Sequence, residues 1–139
     1  MREAVMHLLK YQVEKMEFNV NEEFQNNKCK KIELNQNLER IITKIDDNNV
    51  KVSLKFDIYN MPEKQVPFTI SIIVSGIFEL VEWEKEENKI LATTNTVAIL
   101  FPYLRALVSM LTSNANVPTY ILPVINIAAL LDEKESKKN

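Results

Sequence analysis

Residues 97–111, VAILFPYLRALVSML, carry a single charge, Arg105, and contain a proline, Pro102. Read as a helix over 97–112, the run places its polar residues Arg105, Ser109 and Thr112 at i, i+4 and i+7, on one stripe. Everything else on the helix is apolar, so it needs cover on more than one side. A four-stranded sheet covers one side, and a second subunit is the simple cover for the other. The preceding TTNT, residues 93–96, offers N-cap residues, and Pro102 is expected in the first turns, where a missing N–H costs little. SNAN, residues 113–116, is expected to end the helix. VPTYILPV follows, held extended by its prolines. Asn126 is expected to cap a short amphipathic helix, IAALLDEKE, and KESKKN to be a solvated end.

The sheet is read from period two. Val50, Val52, Leu54, Phe56 and Ile58 alternate with Lys51, Ser53, Lys55, Asp57 and Tyr59, the pattern of a strand buried on one face. MPEKQVP, with two prolines, breaks it as a hairpin loop should. A longer strand follows, with Phe68, Ile70, Ile72, Val74, Phe78 and Leu80 on one face and Gly76 suggesting a bend or bulge. ERIITKI, closed by DDNN, pairs as a hairpin with the Val50 strand. Near the start, Leu9, Tyr11 and Val13 alternate before the phase slips to Met16, Phe18 and Val20, which predicts a bulge. A long Asn/Lys/Glu-rich connection then precedes the tight hairpins. The expected fold is α+β: a four-stranded antiparallel Greek-key sheet packed by one long and one short C-terminal helix, in one domain spanning 1–139.

A net charge of −2 argues against a nucleic-acid partner. No signal peptide is read at the start. The longest apolar run is shorter than the ~20 residues a bilayer needs, so no membrane insertion is expected. Cys29 is the only cysteine, which fits a reducing, cytoplasmic setting. His7, the only histidine, has no partner at metal-ligand spacing, and the single glycine rules out a Gly-rich phosphate loop. The acids Glu79, Glu82, Glu84, Glu86 and Glu87 read as a solvated strand end. No catalytic constellation and no cofactor are expected. What remains is apolar surface beyond what one subunit hides, suited to binding extended apolar chain segments.

The run ILFPYLRALVSML, followed by VP and LPVINIAALL, resembles the SecB protein-export chaperones. In that family the long helix opens Ile-Leu-Phe-Pro-Tyr-Ala-Arg. Residues 99–103 and Arg105 match, and Leu104 replaces the alanine. Pro118 and Asn126 match too, Pro123 sits one place early, and SGIF (75–78) and EKMEFNV (14–20) resemble strand segments, so the likeness spans roughly residues 8–131. The resemblance implies a homo-oligomer, a dimer of dimers, acting as an ATP-independent holdase. Its partners would be unfolded precursor polypeptides, handed to the SecA motor. Family members also guard the antitoxin of a toxin–antitoxin pair. At the aligned SecA-docking positions this chain has Lys15, Asn19, Ser71 and Thr69, none acidic. A client-binding groove is expected at Phe18, Phe68, Phe78 and Trp83, although Phe68 and Phe78 read equally well as core. The oligomer interface is expected at Ile70, Ile72, Val74, Tyr103, Leu107 and Met110. A non-chaperone oligomeric adaptor is the alternative.

Overall fold

The computed structural model describes residues 5–24, 34–115 and 127–137. Four strands, β1 (His7–Val20), β2 (Gln36–Asp46), β3 (Asn49–Ile58) and β4 (Phe68–Glu79), form an antiparallel sheet in the order β1-β4-β3-β2. The hairpins β2–β3 and β3–β4 are consecutive, and β1 returns beside β4, which is the expected Greek key. A two-residue turn at Asp47 and Asn48 joins β2 to β3. The phase slip in β1 is real. Its pairing with β4 shifts between Leu8 and Lys10 and again between Val13 and Lys15, so Leu9 and Glu14 stand outside the register. Each bulge returns an apolar residue to the inner face: Tyr11, Val13, Met16, Phe18 and Val20 all lie opposite the inward residues of β4.

The helices cover that inner face. A short 3₁₀ turn (Glu86–Asn88) and a π-turn (Leu91–Asn95) lead into α1 (Thr96–Asn114), which packs on β3 and β4. A shorter α2 (Ile127–Lys137) packs on β2 and α1. The core is formed by the alternate residues of β3 and β4 with Leu100, Leu104 and Val108 of α1.

Several local expectations are corrected. Thr93 and Thr96 do not cap the helix. They lie inside the helical turns and return their hydroxyls to the Lys89 and Ala92 carbonyls at 2.7 Å each. Pro102 is therefore interior to a longer helix than expected. It is exposed, as is Ala98 four residues before it, so water reaches the carbonyl that loses its donor. The polar stripe does not face solvent throughout: Thr112 is fully buried, its hydroxyl donating to Val108 O at 3.0 Å. The helix runs through Asn114 and ends at Ala115, which is not left-handed. The expected extended segment 117–124 and the Asn126 cap lie outside the described residues. α2 itself continues to Lys137, into the expected tail. The helical segment Glu86–Asn114 is also long and apolar enough by composition to cross a membrane, unlike the shorter run read from sequence. Here its inward stripe lies on the sheet instead.

Gly76 marks no bulge in β4, which keeps its register on both sides of it. It is needed for close approach. A Cβ there would lie 2.7 Å from the Phe78 ring and 3.1 Å from Leu100 Cδ2. α1 settles on the sheet where β4 offers no side chain. Gly76→Ala should therefore cost about 1–3 kcal/mol of stability through overpacking. Urea unfolding measures this, and an unchanged midpoint would show that α1 is free to lift there.

Candidate polypeptide-binding surface

The residues expected to line a groove or an interface separate into two sets. Phe68 and Phe78 are buried in the core. Trp83 is only 9% exposed, because the turn after β4 folds back on the β2–β3 turn. There its Nε1–H donates to Asp46 O at 2.8 Å and its backbone N–H donates to Asp47 O. None of these three side chains is open to a ligand. Ile70, Ile72 and Val74 are equally inaccessible, since they face the chain's own helix and complete its core rather than a partner's. Phe18 is half-buried at the inner face of β1, stacked on Phe68 with centroids 5.6 Å apart. Tyr103 and Met110 are 44% and 43% exposed, and Leu107 is half-buried beside them on α1.

The uncovered surface is built from the periodic residues of β1, of which only Phe18 was expected in a groove, together with the exposed side of α1. α1 packs on β3 and β4 and does not lie over β1, so much of the inner face of β1 is left open. Met16 is 47% exposed there, with Leu8 and Val20 also open and Tyr11, Val13 and Phe18 half-buried. On α1, Ile99, Tyr103 and Met110 recur at helical spacing on the exposed side. The Tyr11 and Tyr103 rings join the two elements, stacked at 4.3 Å. Burial, helped by the neighbouring Tyr103 phenol, pushes the Tyr11 phenol above its ordinary value. The result is one apolar surface running from an edge strand onto the long helix. β1 is also a sheet edge, with one side of its backbone unpaired by any described strand.

The opposite face of the sheet is more polar. The Ser53 and Ser75 hydroxyls meet at 2.8 Å, and Glu14, set outside the register by its bulge, reaches Lys51 Nζ at 2.5 Å. Lys15, Asn19, Ser71 and Thr69 share this face. His7 is exposed, and no group of metal-ligating side chains occurs among the described residues. Cys29 lies outside them. The acids after β4 are solvated, and Glu84 meets Lys44 at 2.6 Å while Glu82 meets Lys85 at 2.8 Å.

The family model for preprotein translocase subunit SecB matches residues 3–138. The chain belongs to the SecB family. It is a family of chaperones, not of enzymes. An uncharacterised protein of Methanocaldococcus jannaschii is 37% identical over 92% of this chain and 83% of its own length. The SecB export protein of Xanthomonas campestris is 32% identical over 73% of this chain, and that of Rickettsia typhi 27% over 66%. The matched stretch spans about 60% of the length of those two export proteins. Among solved structures, a Mycobacterium tuberculosis SecB-like chaperone, in complex with a peptide from the HigA1 antitoxin, superposes with a TM-score of 0.62. It covers 86% of this chain and 90% of its own at 18% identity, a likeness of fold.

Two outcomes test this placement. Trp83 is the chain's one tryptophan, so its fluorescence should resist aqueous quenchers. Trp83→Phe should cost about 1 kcal/mol through the lost hydrogen bond and leave binding intact. The hydrogen bond from Lys51 holds the Glu14 carboxyl below its ordinary 4.5, more than its partial burial opposes this, with Ser75 adding a second hydrogen bond. A depressed folded-state pKa stabilises the fold above pH 4.5, and that gain is lost as pH falls through the folded value. The unfolding midpoint of the wild type should exceed that of Glu14→Gln near neutrality, and the gap should close in acid.

Proposed function

We propose that this SecB-family chain is an ATP-independent holdase, binding extended apolar segments of non-native polypeptides on the inner face of β1 and the exposed side of α1. The observation that carries the reading is the apolar surface joined by the Tyr11–Tyr103 stack, which no element of the described chain covers. Weak apolar contacts along an extended client need no client sequence and no catalytic group. Of the expected groove residues only Phe18 belongs to this surface, joined by Met16, Val20 and Tyr11. A dimer of dimers would bury part of it, with Tyr103, Leu107 and Met110 toward a second copy and the free edge of β1 toward another. The cytoplasm, where unfolded precursors are made, is the setting this activity needs.

Two hand-off routes follow. Export, the role in the names of the curated relatives, would have this chain pass its clients on to the SecA motor. A dedicated antitoxin client is the second reading. It is favoured by the lack of a carboxylate at Lys15, Asn19, Ser71 and Thr69 and by the antitoxin peptide held by the mycobacterial neighbour.

Light scattering of a denatured enzyme diluted into buffer without ATP tests the activity. Stoichiometric suppression is expected, and Met16→Asp with Val20→Asp should weaken it about tenfold or more. Full suppression by that variant would move the site elsewhere. Tyr103→Arg should reduce the solution mass measured by light scattering, whereas Ile72→Arg should unfold the chain. An unchanged mass for Tyr103→Arg would remove α1 from the interface.

A further inference from the structure

β1 carries one residue that its pairing with β4 does not need. Val13 lies opposite Val74 and Lys15 opposite Ile73, and Val74 and Ile73 are neighbours. Without Glu14 the same partners would form an unbroken ladder, and Met16, Phe18 and Val20 would keep their places opposite Ile72, Ile70 and Phe68. A bulge disrupts the ladder locally and adds a bend and a stronger twist. Glu14 is also held. Its carboxylate reaches across β4 to Lys51 Nζ on β3 at 2.5 Å, and Ser75 of β4 donates a second hydrogen bond to it. Ser75 Oγ in turn lies 2.8 Å from Ser53 Oγ, and both serines are buried. A polar chain on the outer face thus ties the bulge to both central strands.

The bulge stands at a boundary on the inner face. Before it, Tyr11 and Val13 are half-buried, and Tyr11 stacks on Tyr103 of α1. After it, Met16 and Val20 are exposed, and Phe18 rests on Phe68 of the neighbouring strand. We propose that the Glu14 bulge is a built bend that carries residues 15–20 of β1 clear of α1 and so holds Met16, Phe18 and Val20 open to an extended apolar polypeptide segment, with Lys51 and Ser75 holding the bend from the other face. The inference rests on the holdase reading and adds what shapes its surface. A straight β1 would continue alongside the helix from the Tyr11–Tyr103 seam, and its apolar side chains would be satisfied within the chain. The bend leaves them unsatisfied, which is the state a client can use. The Lys51 and Glu14 side chains are 34% and 32% exposed, so their tie is firmer than a fully solvated ion pair and escapes the full desolvation cost of a buried one.

The test uses the full chain, with reduced, carboxymethylated α-lactalbumin as a permanently unfolded probe. Deletion of Glu14 removes the bulge and keeps the pairing. Its urea midpoint should be no lower than that of Glu14→Ala, which keeps the bulge and loses the tie; a much lower midpoint would make the bulge a need of the fold and overturn the proposal. Peroxide oxidation followed by mass spectrometry reads the surface directly, since Met16 and Met110 are both exposed and Met110 on α1 serves as the internal reference. Relative to Met110, Met16 should oxidise severalfold more slowly in the deletion, and the probe's Kd should rise about tenfold. Lys51→Met should move both readings the same way by less, and it guards against misfolding of the deletion. Lys51→Arg, which keeps the charge, should restore both. Unchanged Met16 oxidation in the deletion and in Lys51→Met would overturn the bend. Slower oxidation with an unchanged Kd would overturn its part in binding. A wild type that does not bind the probe would fail the holdase reading and that part with it, while the oxidation result still decides the bend.

Discussion

An α-helix is about 10–12 Å across and strands lie about 4.7–4.9 Å apart, so one helix covers about two strands of a sheet. This width sets the rest of the molecule. α1 lies over β3 and β4, the two central strands, and Gly76 leaves the space beside it to Leu100 and the Phe78 ring. The inner faces of β1 and β2 are left at the margins. Both carry apolar residues on the core side, because the strand period continues to the edges of the sheet. Each margin therefore needs a cover that α1 cannot supply.

The chain closes the two margins by different physics. Over β2 it lays α2, fixed by charged contacts around Arg40 and by Leu131. Over β1 it lays nothing among the described residues, and the Tyr11–Tyr103 stack is the seam between the open strand and the helix. Exposed apolar area of this extent marks a binding or assembly surface. The family relation and the apolar character of this surface both fit the polypeptide partner proposed above.

Much of this was legible in the residues, and the misses share one cause. The alternation of β3 and β4 was legible because period two and burial coincide there. The slip in β1 was legible because a bulge must move an apolar set between faces. The sequence could not say which partner an apolar face meets. Ile70, Ile72 and Val74 suit a second subunit as well as the chain's own helix, and only the docking of α1 decides. Trp83 stands among charges in sequence, which suggests exposure. The turn at Glu82, with φ of 53°, folds it against Asp46 instead. Thr93 and Thr96 have the chemistry of caps and equally that of hydroxyls bonded one turn back.

Arg40 is the sharpest case. In ERIITKI a lone arginine reads as the polar side of a strand. Its partners lie 92 and 95 residues away, on a helix whose acids read as a solvated face. An inward charge on an edge strand is costly to bury alone and serves as a stop against edge-to-edge pairing. Here it is neutralised by a helix that is also held by Leu131 and by Lys134 on Leu38 O. Asp132 and Glu135 meet the arginine at 2.6 Å each, so this margin is closed by charge as well as by Leu131, while the margin of β1 stays uncovered by the described residues.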